Sequence, residues 1–215
     1  MTTIRTKRFV AALGLSATLL LAGGAQAGDI TYEIAVDTSL FQSTSGYLDF
    51  QLNPGNPPVD QATATISGFT TDGTLGAVLP DMGDVSGSLP GSVVINNTDV
   101  TNEYTQAFTI GSFFDVFVEL DIPTVSGNAT GGNIFTLDLQ DSGFNSLFAT
   151  SPAAAIEIGL DATTGEPTVT NNTNGAAEVT QTPEPSTFVL IGIGLVSIGW
   201  RNRARVSRAA RALYI

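Results

Sequence analysis

From residue 30 onward, apolar and polar residues alternate with a period of two, as strands with one buried face do. Ile30, Tyr32, Ile34 and Val36 alternate with Thr31, Glu33 and Asp37. Leu48, Phe50 and Leu52 flank Asp49 and Gln51, and Ala62, Ala64 and Ile66 flank Thr63 and Thr65. The same rhythm runs through Phe114, Val116, Val118, Leu120 and Ile122, through Phe135, Leu137 and Leu139, and through Ile156, Ile158 and Leu160. Segments 92–96 and 104–110 read as further strands. Turn formers punctuate these runs: Asn53-Pro54-Gly55, Asp72-Gly73, Gly131-Gly132, Asp141-Ser142-Gly143 and Thr164-Gly165. No stretch of 28–182 holds a long 3.6-residue period, and its 23 threonines suit strands and their outer faces. The pattern predicts an all-β domain over 28–170, an antiparallel β-sandwich of the jelly-roll kind.

The ends follow other rules. Arg5, Lys7 and Arg8 precede an apolar run over 9–21, and Ala25-Gln26-Ala27 is a small-x-small site before Gly28. Residues 1–27 therefore read as a signal peptide, cut by signal peptidase between Ala27 and Gly28. Residues 188–200 are uncharged and apolar, and a helix over about 187–200 is predicted there. Arg201, Arg203 and Arg205 follow it as a basic stop, and 206–215 form a basic tail. Thirteen helical residues reach only about 20 Å, so the span is thin and leans on snorkelling arginines. Basic flanks place both precursor ends in the cytoplasm and the middle outside. Residues 171–182, polar and without pattern, read as a linker.

Charge narrows the function. All eight Lys and Arg lie in the two end segments, and 28–182 carries 19 carboxylates with no cation. Nucleic-acid binding needs Lys and Arg to displace counterions, so it is excluded for this domain. The chain has no His and no Cys. That removes His-based triads, thiolate chemistry and the usual zinc sites. No nucleophile elbow is present, Ser86 and Ser88 have no His partner, and a Ser-Lys device cannot form in a domain without Lys.

Pro183-Glu184-Pro185, the short apolar segment and the arginine cluster stand in one order over 183–205. This arrangement resembles the PEP-CTERM sorting signal. The resemblance implies recognition through Pro183, Glu184 and Pro185 and removal of the tag by a membrane protease-transpeptidase, the exosortase. It also implies a Gram-negative bacterium that makes extracellular polysaccharide. Ten residues after the usual arginine cluster depart from that pattern. The middle more loosely resembles one recurrent PEP-CTERM protein type, through Val36-Asp37-Thr38-Ser39, the strand Gly46–Gln51 and a turn at Gly83–Gly87. That type brings no established activity.

The domain offers few candidates for chemistry. Asp115, Glu119 and Asp121 share a face of one strand with Phe113 and Phe117. Glu119 and Asp121 stand about 7 Å apart along the strand, a spacing open to glycan hydrolysis, although charged strand faces are ordinarily solvated. Phe113 and Phe117 either form an outward stripe for a sugar or protein, or pack under a neighbouring layer. Asp81 with Asp84, and Asp138 with Asp141, are loop oxygens a calcium ion can use, but neither set has EF-hand spacing. No other cofactor is expected. The expectation is an exported, non-enzymatic surface or matrix protein. A carbohydrate-binding module and, remotely, a carboxylate-dependent hydrolase are its alternatives.

Overall fold

The computed structural model describes residues 29–121, 129–149 and 153–182. Among these, twelve strands follow in order: β1 (Ile30–Asp37), β2 (Ser45–Pro54), β3 (Thr63–Thr71), β4 (Thr74–Val78), β5 (Asp84–Gly87), β6 (Val93–Asn96), β7 (Glu103–Thr109), β8 (Phe113–Asp121), β9 (Asn133–Asp141), β10 (Ile156–Leu160), β11 (Pro167–Asn171) and β12 (Ala177–Thr182). They form two antiparallel six-stranded sheets, ordered β12-β1-β8-β3-β6-β5 and β11-β10-β9-β2-β7-β4. The pairings β1·β8, β2·β7 and β3·β6 are those of one long ribbon wrapped across both sheets, a jelly-roll wrap. The predicted all-β sandwich is the observed fold.

Alternation sets the core. Tyr32, Ile34 and Val36 of β1 and Phe114, Val116 and Val118 of β8 face Leu48, Phe50 and Leu52 of β2 and Phe135, Leu137 and Leu139 of β9. At one end three rings lock together. Phe69 stacks on Phe114 at 5.8 Å, and Phe108 meets both edge-on at 6.2 and 6.4 Å. With no cysteine available, neutral amides staple the loops. Buried Asn102 accepts from the Asp84 and Asp99 amides and donates to the carbonyls of Leu52 and Asp99. Asn97 donates to Asn133 and to the Asp60 carbonyl in the same manner.

Two expectations are corrected. Residues 171–182 do not form a linker, because 177–182 are the edge strand β12. Its Thr31↔Thr182 to Val36↔Ala177 register completes the β1 edge. Residues 83–87 are not a simple turn, since Asp84–Gly87 pairs with β6. The sandwich therefore runs to Thr182, directly against the Pro-Glu-Pro motif. That motif, Ala25, Ala27, Gly28, the apolar segments and the arginines lie outside the described residues.

Removing β12 strips β1 of six register positions. At a net 0.5–1.5 kcal/mol per hydrogen bond, the loss is on the order of 3 kcal/mol or more. Compared with a chain ending at Thr182, one ending at Ala176 should melt on the order of 10 °C lower by circular dichroism. Equal melting points would contradict the β12 pairing.

Candidate functional site

Two of the concave places among the described residues bear on function. The first is an open groove of about 530 Å³ at the Asp37 end of β1, lined by Ala35, Asp37, Ser112, Phe113, Asp115 and Glu178 among others. Phe113 and Phe117 point outward and are 39% and 40% exposed, so no second layer of the described residues covers β8. They do not form one continuous stripe. Phe113 stands opposite Asp37 and lines the groove, whereas Phe117 stands opposite Glu33 and lies over Gly68. Gly68 sits at φ 63° in a β3 bulge, and a Cβ there would be 2.7 Å from the Phe117 ring. Glu119 sits between Thr31 and Thr65 on the same face. Burial, then Asp29, pushes the Asp121 carboxyl above its ordinary value, so its acidic neighbour is Asp29 rather than Glu119.

The second place is a polar cleft of about 240 Å³ on the outer face of the other sheet. Strands β2 and β9 pair with Asp49 directly opposite Asp138, and β7 brings Thr105 beside Asp49. Directly opposed residues have Cβ atoms only about 4.5–5.5 Å apart, so two carboxylates of one sign lie side by side. Both are buried, at 2% and 6% exposure. Asp49 accepts hydrogen bonds from Gln51 (2.8 Å), Thr105 (3.3 Å) and Gln140 (3.3 Å). These neutral donors do not offset its surroundings. Burial, followed by the charges of Glu103 and Asp138, raises the Asp49 pKa to about 7. Burial also raises the Asp138 pKa, against hydrogen bonds from Ser146, Ala155 and Leu139.

The turn after β9 forms one wall of this cleft. Asp141 accepts from the backbone amides of Gly143 and Asn145, which hold its carboxyl below the ordinary range. That turn sets Phe144 at φ 61°, a left-handed conformation uncommon for a bulky residue. Phe144 stacks on Tyr47 with centroids 4.5 Å apart, lines the cleft and is 53% exposed. Asp138 and Asp141 thus serve different environments. Asp84 takes part in the Asn102 staple through its amide, and Asp81 stands in the adjoining loop. Among the described residues no group of three or more acidic side chains converges to hold a metal ion.

The Asp49–Asp138 pair was not legible in the sequence. Asp49 reads there as an ordinary outward position between Leu48 and Phe50. The common Leu-Asp-apolar pattern of Leu48-Asp49-Phe50 and Leu137-Asp138-Leu139 is the one available hint, and register alone turns it into a pair.

A carboxyl with a native pKa near 7 and an unfolded value near 3.8 stays protonated longer in the folded state. Folding stability should therefore fall as pH rises from about 4 to 7 and level off above that, by up to about 4 kcal/mol. Urea denaturation at pH 4.5, 6 and 8 checks this, and Asp49→Asn should remove most of the decline. A wild-type stability as high at pH 8 as at pH 4.5 would contradict the assignment.

Comparison with known proteins bears on the C-terminal segment. No curated protein and no solved structure matches the chain. The family model of the PEP-CTERM protein-sorting motif matches residues 181–204, beginning inside β12. The chain carries the PEP-CTERM sorting motif, which marks an exported protein processed by an exosortase.

Proposed function

We propose that this chain is a non-enzymatic surface or extracellular-matrix protein that associates with exopolysaccharide in a biofilm. Its precursor is held in the membrane by the apolar segment at about 187–200 until the exosortase acts. The observation that carries this reading is the sorting motif set directly against the last strand of an acidic sandwich. The surface of 28–182 has no cation, so a single-signed, hydrated domain is delivered outside the cell. The lack of His and Cys, and of Lys and Arg in 28–182, supports a role without catalysis. Asp115 and Glu119 stand among threonines and phenylalanines on an open face, which is consistent with a solvated role.

A second reading, a carbohydrate-binding module, is favoured by the part-exposed Phe113 at the groove and by Phe117 on the same face of β8. Exposed rings beside carboxylates suit sugar hydroxyls and the apolar faces of sugar rings.

Intact mass of the native protein, recovered separately from membranes and medium, tests the first reading. The expected product lacks residues 1–27 and ends near residues 183–186, with or without added mass at the new end. A protein that retains Ile215 and stays in the membrane, or one unchanged by loss of the exosortase, would contradict it.

A further inference from the structure

The cleft between β2, β9 and β10 contains more than an acidic pair. Asp138 Oδ1 is saturated: it accepts from the Leu139 amide (3.0 Å), Ser146 Oγ (2.7 Å) and the Ala155 amide (3.3 Å). Asp138 Oδ2 accepts no hydrogen bond from any described residue, although the side chain is 6% exposed and lines the cleft. Glu157 presents a second carboxylate there, with Oε1 accepting from the Ala154 amide at 3.1 Å. Thr136, directly opposite both Gln51 and Glu157, adds a hydroxyl to the same wall. At the rim the Phe144 ring, backed by Tyr47, offers an aromatic surface. Among the described residues no buried side-chain oxygen or nitrogen lacks a partner, so Oδ2 opens to the water of the cleft, which a ligand hydroxyl can replace.

We infer that this cleft is a saccharide site for a sugar unit without anionic groups, its hydroxyls donating to Asp138 Oδ2 and Glu157 and its ring resting on Phe144. The ligand class follows from three features. The free groups are mainly acceptors, so the ligand must donate, as a polyol does. The volume, about 240 Å³, lies below the roughly 300–1,000 Å³ of sites for drug-sized ligands and suits one small polar unit. No Lys or Arg stands anywhere in 28–182 to pair with a uronate, sulfate or phosphate, and the carboxylates of Asp138 and Glu157 in the cleft repel one. The inference rests on the exopolysaccharide reading and gives that association a site and a chemical class.

The test is affinity electrophoresis of the full-length chain in mild detergent, through gels carrying dextran, laminarin, hydroxyethyl cellulose or alginate. Retardation is expected in at least one of the first three and not in alginate. Asp138→Asn and Phe144→Ala should each weaken that retardation about tenfold or more, the size of a lost charged hydrogen bond or ring contact. Phe144 is half-exposed, so its variant keeps the test valid if Asp138→Asn fails to fold. Phe113→Ala should change nothing. Retardation untouched by both cleft variants but lost in Phe113→Ala would overturn this site while leaving the module reading standing. Retardation by alginate, or by none of the four polymers, would also overturn it. The mass measurement above separates that result from failure of the sorting reading.

Discussion

Between residues 28 and 182 the chain places 19 carboxylates and no cation, so no carboxylate of the sandwich can be neutralised by a salt bridge within it. Each must stay in water, find neutral donors or hold a proton, because an uncompensated buried charge is too costly. All three solutions occur. Asp72, Asp141 and Asp161 take backbone and hydroxyl donors at turns, which lowers their pKa and fixes the turns. Asp115 and Glu119 remain on an outer face. Asp49, deep between Glu103 and Asp138, holds its proton to about pH 7.

The same constraint shapes the rest of the fold. Cross-links that other extracellular domains make with disulfides or ion pairs are made here by neutral amides, above all Asn97 and Asn102. Such groups stay satisfied at any pH a cell surface meets, since they do not titrate. The polar cleft is where neutral donors run short. Ser146 and two backbone amides saturate one oxygen of Asp138, and the other is left facing the cavity. A domain without Lys or Arg over 28–182 offers an anionic ligand no ion-pair partner, and its single sign of charge is self-repelling.

The strands legible from alternation were β1, β2, β3, β6, β7, β8, β9 and β10. The four that were not, β4, β5, β11 and β12, are the four sheet edges. An edge strand packs on one neighbour only and buries little, so Thr74–Val78 and Pro167–Asn171 carry almost no apolar rhythm. For the same reason β12, with Ala177 and Val179 alone facing inward and apolar, reads as a linker in the sequence. The sorting motif was fully legible because it is a local string. The outward direction of Phe113 and Phe117 follows from the period, but their exposure depends on the absence of a covering layer. The Asp49–Asp138 pairing depends on register across 89 residues of separation, which no local pattern encodes.

The cation-free sandwich resolves its carboxylates by environment, with Asp49 protonated near neutrality. Carbon-detected NMR titration of the aspartate side-chain carboxyls measures this directly. Asp49 is expected to titrate near pH 7, well apart from Asp141 and Asp161, which titrate below the ordinary carboxylate range. Titration of Asp49 near pH 4, together with the other aspartates, would contradict it.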